Sequence, residues 1–227
     1  MRLRDRAIHY IENRTIYEIY RNTRLQLQID ATRSTTEFIK ANLRSVNSVR
    51  WPRDVINMAI KNVKVKNGLF LEFGVYKGSS LNFIAKKINN ETIYGFDSFE
   101  GLPTFWMDGF GIGTFKTDYQ KLKFRSNVKI VKGLFQETLP KFKVEHTQPI
   151  SFVHIDSDLY ESAKFVLTSL KDQIVSGTVI VFDDFFNYSG WQDGEFRAFK
   201  EFLDITKINF RYTIYCYKGD NVAVEII

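Results

Sequence analysis

Two hydrophobic runs that end in clustered acids constrain this chain more than any other feature. Ile150-Ser151-Phe152-Val153-His154-Ile155 leads into Asp156 and Asp158, and Thr178-Val179-Ile180-Val181-Phe182 leads into Asp183 and Asp184. Both runs are nearly continuous in Val, Ile and Phe, the pattern of a strand buried on both faces. Strands of that kind belong to parallel sheets covered by helices, and open α/β sheets bind ligands outside the carboxyl ends of their strands. Four acids at that edge repel one another unless positive charge lies among them. A hard divalent cation is the simplest candidate.

The rest of the chain predicts an alternation of strands and helices from residue 54 onward. Strands are expected at 69–73, 92–96, 128–131, 150–155 and 178–182. Helices are expected at 79–88, 135–142, from 159 to about 174 and from 195 to about 207. Two last strands, 210–217 and 222–227, are joined by Lys218-Gly219-Asp220-Asn221, a connection short enough only for a hairpin. The reading is an α/β fold with a mostly parallel sheet and one antiparallel strand at the C-terminus. Residues 1–50 read as two or three helices, and Asp54 is expected to cap a helix that runs through Ile60. The expected organisation is a basic helical extension at 1–53, a lid or an oligomer contact, followed by one domain at 54–227.

Charge separates the same two parts. The formal net charge is +6. Residues 1–53 carry 11 Lys/Arg against 5 Asp/Glu, and residues 54–227 carry 21 of each, so the extension holds the whole excess. Its arginines alternate with Ile8, Tyr10, Ile11, Ile16, Tyr17, Ile19 and Tyr20, an amphipathic pattern suited to packing on a second subunit. Either a solvated helical face or an anionic partner accounts for the charge. No nucleic acid is expected, because the acid cluster repels phosphates. The single cysteine, Cys216, excludes an internal disulfide and a Cys-rich zinc site, and it reads as a packed strand thiol. No apolar run reaches the ~18 residues of a membrane span, and the Arg-rich start lacks the apolar core of a secretory signal. A cytoplasmic location is expected.

The first predicted strand ends in Glu72-Phe73-Gly74-Val75-Tyr76-Lys77-Gly78-Ser79-Ser80, a glycine turn that opens a helix. The second ends in Asp97, 23 residues beyond Gly74, where an acid can accept hydrogen bonds from ribose hydroxyls. The turn is not Gly-x-Gly-x-x-Gly, and Glu72 beside it would repel a pyrophosphate. It suits a cationic amino-acid moiety, so S-adenosylmethionine fits better than a phosphate-bearing dinucleotide. A plain strand–helix turn also needs glycine, and that reading stands beside the first.

With these stretches in view, the chain resembles the macrocin O-methyltransferase-like (TylF-type) family of sugar O-methyltransferases that depend on S-adenosylmethionine and a metal. The matching motifs are LEFGVYKGSS (71–80), YGFDSFEGLP (94–103), VKGLFQETLP (131–140), VHIDSDLYES (153–162) and IVFDDF (180–185), in collinear order. The resemblance implies a class I methyltransferase fold, a Rossmann-like, seven-stranded, mostly parallel sheet with its last strand antiparallel. It implies that Asp156, Asp183 and Asp184 bind Mg²⁺, with Mn²⁺ or Ca²⁺ as substitutes, and that Asp158 is the general base. Glu72, Gly74, Gly78, Ser80, Asp97 and Ser98 fall on its cofactor motifs, and Phe135 and Gln136 lie where such folds hold adenine.

The chemistry accords with those residue types. A sugar hydroxyl is a weak acid, and a cation on it and its vicinal neighbour lowers its pKa and fixes its position. Oxygen ligands select hard cations over zinc. Asp156 and Asp158 are two residues apart, so an extended backbone sets both on one face, one for the metal and one for the proton. Other readings stay open. Asp158 is also placed to cap the next helix with Glu161 completing a capping box. His154 reads as a hydrogen-bonded core histidine or as a catalytic one. The aromatic, glycine-rich stretches 99–106 and 188–191 read as sugar-facing lids or as plugs over the sheet edge. The expected acceptor is a sugar hydroxyl of a glycoside, nucleotide sugar or glycan. The alternatives are a catechol-like acceptor, a nucleic-acid methyltransferase, or a non-catalytic binding module of the same fold.

Overall fold

The structure is a computed structural model and describes residues 21–88 and 90–227. The helices expected before residue 21, with the amphipathic residues 8–20, lie outside the described residues. Element order is α1 (Thr23–Asn42), β1 (Asn47–Val49), α2 (Pro52–Lys61), β2 (Leu69–Phe73), α3 (Ser79–Ile88), β3 (Ile93–Asp97), β4 (Val128–Lys132), α4 (Phe135–Glu145), β5 (Ile150–Ile155), α5 (Tyr160–Leu170), β6 (Val179–Phe182), α6 (Glu195–Thr206), β7 (Phe210–Cys216) and β8 (Val222–Ile226). Of the described residues, those up to Arg44 with Asn187–Gly190 form one compact unit, and Ser45–Phe186 with Trp191–Ile227 form the other. In the first, Gln28 donates to the Asn187 carbonyl at 2.8 Å and the Asn187 amide donates to Thr35 Oγ1 at 2.9 Å.

The second unit is one eight-stranded sheet in the order β1-β7-β8-β6-β5-β2-β3-β4. β8 runs antiparallel to both its neighbours, and the other pairings are parallel. The class I methyltransferase arrangement expected from the sequence is present, with one strand more than the seven expected. The addition is β1, within a stretch expected to be helical. Asn47-Ser48-Val49 has no hydrophobic run to announce it, and it is a strand because it extends the edge of β7 in register with Ile214–Cys216.

Position in the sheet explains the residue pattern of each strand. β2, β5, β6 and β8 are buried at every residue, whereas edge strand β4 mixes half-buried Val128, Ile130 and Val131 with exposed Lys129 and Lys132. Interior strands are covered on both faces and need no polar alternation. One face is sealed by α2 and α3, whose Val55, Ile56, Ala59, Leu81, Ile84 and Ala85 join Phe70, Phe152, Val181 and Ala223 in one cluster. On the other, Phe142 of α4 meets Phe96 edge-on at 5.1 Å and Phe199 of α6 packs at 5.1 Å from Phe182. Such aromatic pairs add about 0.5–1.5 kcal/mol each beyond burial.

Asp54 does not cap α2. The helix begins one turn earlier, with Trp51 as N-cap, Pro52 in the first turn and Asp54 within that turn. Proline sets φ for the first helical residue and has no N–H to be satisfied, which favours the earlier start.

Candidate functional site

Strand order reverses between β2 and β5: the chain runs outward from β2 through β3 to β4, then returns to β5 on the opposite side of β2. Ligand crevices of open α/β sheets form at such a reversal. The cavity found there is lined by the ends of β2 (Gly74, Val75, Tyr76), β3 (Asp97, Ser98), β4 (Gly133 to Gln136) and β5 (Asp156, Ser157, Asp158). Gly101, Leu102, Pro103 and Phe115 close one side.

The turn after β2 is built around two contacts. The Asp97 carboxylate accepts from the Val75 and Tyr76 amides at 2.8 and 2.7 Å through one oxygen, and from the Phe99 amide at 2.7 Å through the other. Three of about four lone-pair positions are thereby used, leaving one for a ligand hydroxyl. Gly74 has φ +94°, and a Cβ there would stand 1.6 Å from the Asp156 carbonyl oxygen. Its absent side chain thus admits the end of β5 rather than only a ligand. Gly74→Ala is expected to destabilise the fold by about 3 kcal/mol or more, measured by urea unfolding; an unchanged midpoint would refute this account of the turn.

Of the residues that sequence assigns to the cofactor, Gly74, Asp97, Ser98, Phe135 and Gln136 line the cavity. Glu72, Gly78 and Ser80 stand behind it. Glu72 is fully buried, accepts from Ser80 Oγ at 2.9 Å, and lies 3.3 Å from His154 Nδ1. Burial pushes its carboxyl above the usual range, and His154 and Ser80 counter part of that. A Cβ on Gly78 would meet the Phe124 ring at 2.6 Å.

The acids gather as expected. Asp156 and Asp158 line the cavity, and Asp183 and Asp184 follow β6 next to it in the sheet. His154, Asp156 and Asp183 each place one ligating atom within 4.8 Å of the others, and Asp184 stands outside that triplet. Burial and the charge of Asp183 push the Asp156 carboxyl well above its ordinary value. Asp184 is raised likewise, first by burial and then by Glu195, Asp183, Asp158 and Asp156. Burial, Asp183 and Asp97 push Asp158 up to about 7.

His154 is fully buried, with Nδ1 toward Glu72 and Nε2 3.4 Å from Asp183 Oδ1. Burial opposes its charging, yet Asp183 and Glu72 together hold it well above an ordinary histidine. The ring bridges two carboxylates inside the protein, in line with the core-histidine reading. Asn221, from the β7–β8 turn, donates a hydrogen bond to Asp183.

Asp158 does not cap α5. The N-cap is Leu159, no side chain caps the helix, and Asp158 takes a left-handed φ of +57°. That conformation turns the chain between the strand and the helix, so the capping box with Glu161 does not form. The aromatic stretches divide. Phe99 and Trp191 are buried plugs at 2% and 3% exposure, whereas Gly101, Leu102 and Pro103 line the cavity. Sequence reasoning missed Tyr76, Phe115, Ser157 and Ser162 on the wall. Tyr76 and Phe115 meet edge-on at 5.4 Å from segments 39 residues apart, a pairing that no local pattern encodes.

Two observations bear on what the site holds. Ser157 Oγ is buried on the cavity wall without a hydrogen-bond partner, and His154 Nε2 is buried without one at the acid cluster. The donors gathered around Asp156 and Asp183 are mainly carboxylate oxygens, which fit a hard divalent cation. Among the described residues, no helix is long and apolar enough to cross a membrane.

The chain is similar in sequence and fold to known proteins. Demethyldecarbamoylnovobiocin O-methyltransferase of Streptomyces niveus is 24% identical over 156 residues, and the match covers 58% of this chain and 58% of that protein. The chain thus spans little more than half the length of this curated relative. The crystal structure of CalS11, a calicheamicin methyltransferase, is similar with a TM-score of 0.63 at 22% identity, over 76% of this chain and 77% of that one. The O-methyltransferase NovP gives 0.60 at 21% identity, over 76% and 78%. An O-methyltransferase from Bacillus cereus in complex with SAH gives 0.51 at 12% identity, over 87% and 90%. These likenesses show the fold. The profile of the methyltransferase-domain family matches residues 71–185, from the end of β2 through both acid pairs, and the chain belongs to that family.

Proposed function

We propose that this protein is an O-methyltransferase that moves the methyl group of S-adenosylmethionine to a sugar hydroxyl, with a divalent cation beside the acceptor. The observation that carries the reading is a single cavity wall. It joins the glycine turn and Asp97, suited to a nucleoside amino acid, to Asp156 and Asp158, suited to a cation and a proton. Similarity to a protein described as a TDP-rhamnose 3'-O-methyltransferase of calicheamicin biosynthesis supports a sugar as the acceptor. The macrocin-type motifs support the same class.

S-adenosylmethionine supplies a methyl group on a sulfonium, and a cation supplies the charge that makes a hydroxyl acidic. The residues do the rest. Asp97 would offer its remaining acceptor position to the ribose, and Phe135 and Gln136 would border the adenine. Asp156 and Asp183 would hold the cation, with Asp184 a neighbouring negative charge. Asp158 would take the proton of the acceptor hydroxyl as that oxygen becomes the nucleophile. Tyr76, Leu102, Pro103 and Phe115 keep water from the reacting groups. Residues 1–53 are assigned to covering the acceptor or to contact between subunits.

The test is calorimetric titration with SAH, with and without Mg²⁺ and with a chelator control, followed by a screen of sugar and catechol acceptors. Micromolar SAH binding with Mg²⁺-dependent turnover of a sugar is expected. Absence of SAH binding refutes the cofactor, and turnover of catechols alone replaces the acceptor.

A further inference from the structure

Beneath the acid cluster lies a further carboxylate that the proposed chemistry does not use. Glu195 is the first residue of α6, and its side chain is fully buried. One of its oxygens accepts from the Ser157 amide at 3.3 Å, and the other accepts from the Asp184 amide at 3.2 Å. The Ser157 amide belongs to the peptide bond that follows Asp156. The Asp184 amide belongs to the peptide bond that follows Asp183. The two amides lie on separate loops, one leaving β5 and the other leaving β6.

We infer that Glu195 is a positioning residue: its carboxylate clamps the two acid-bearing loops at a fixed spacing, and so assembles the cation site from Asp156 and Asp183. The inference rests on the cation reading above. The strand ladder fixes β5 against β6 only as far as Ile155 and Phe182, plus one hydrogen bond from the Asp183 amide to the Ile155 carbonyl. Beyond those residues no described backbone hydrogen bond joins the two loops directly, and Glu195 supplies the connection. A carboxylate suits the task because it is acceptor-only at both ends and rigid between them, so two N–H groups are held at one separation. A neutral acceptor of the same shape cannot do this. In glutamine one oxygen becomes an NH₂, which faces one of the two N–H groups donor to donor.

Placing a fifth acid under four others is otherwise unfavourable: burial first, then the charges of Asp183 and Asp158, act against its ionisation, and the Ser157 and Asp184 amides counter part of that. A residue serving only the core would be apolar here. Its chemistry answers to two backbone donors that have to stay aligned.

The test uses Glu195→Gln in the full chain, with Mn²⁺ as the probe and electron paramagnetic resonance of the free ion as the readout, so that affinity is measured without turnover. The variant is expected to keep its circular dichroism spectrum and bind SAH within about threefold of the parent, while its Mn²⁺ affinity falls about 10–100-fold. Equal Mn²⁺ affinity in parent and variant overturns the clamp and leaves the cation reading standing. A parent that binds no Mn²⁺ overturns both. Should the variant fail to fold, hydrogen exchange in the parent decides. The Ser157 and Asp184 amides are expected to be protected to a similar degree, and rapid exchange at either one overturns the inference.

Discussion

Exchanging Asp158 for asparagine is expected to lower turnover about 10²–10⁴-fold while SAH affinity stays within about threefold. The substitution suits the local backbone. Asp158 has φ +57°, a left-handed conformation that asparagine tolerates better than most residues. Shape and polarity are kept, and only the proton acceptor is lost. The residue lines the cavity with Asp156 and Ser157, beside the proposed cation site. Steady-state kinetics set against SAH calorimetry separate the outcomes. A variant that loses SAH binding along with activity would show that Asp158 builds the cofactor cavity and does not serve as base. A variant with unchanged turnover would remove it from the chemistry.

Asp183→Asn is expected to abolish the response to Mg²⁺ and to lower activity by at least about 10²-fold. Asp183 is bonded by Asn221 and approached by His154 Nε2 at 3.4 Å. An asparagine retains one acceptor oxygen for that neighbourhood but loses the negative charge that a hard cation requires. The measurement is activity across a Mg²⁺ titration, with a chelator control, in parent and variant. Parent activity that persists in chelator would sink the cation site. A variant that keeps its Mg²⁺ response would move the site away from Asp183.

What the sequence disclosed follows the reach of each interaction. β2, β5 and β6 were legible because their burial on both faces is written as nearly continuous apolar runs. The ends of those strands were legible for the same reason, and the acids stand there. Asp97 was found by its spacing from Gly74, and the structure puts it on the cavity wall and on the amides of the turn. What was hidden depends on partners far along the chain. Glu195 contacts Ser157 across 38 positions, and in the sequence it is only the acid that opens a helix. Tyr76 and Phe115 reach the wall through loop geometry, and β1 exists because β7 offers an edge. Gly74 was read as making room for a ligand; the group that the structure sets against it is the Asp156 carbonyl.

The place of β8 has a consequence for how the molecule comes into being. It lies between β6 and β7, so within the sheet β1 and β7 are joined to the other strands only through it. The turn that precedes it also carries Asn221, which supports Asp183. A nascent chain that has emerged only as far as β7 therefore holds a sheet with a missing centre. The exposed edges of β6 and β7 would each seek a partner. Completion of the sheet and the support of Asp183 by Asn221 both require the last residues, Asn221 and Val222–Ile226, to be in place.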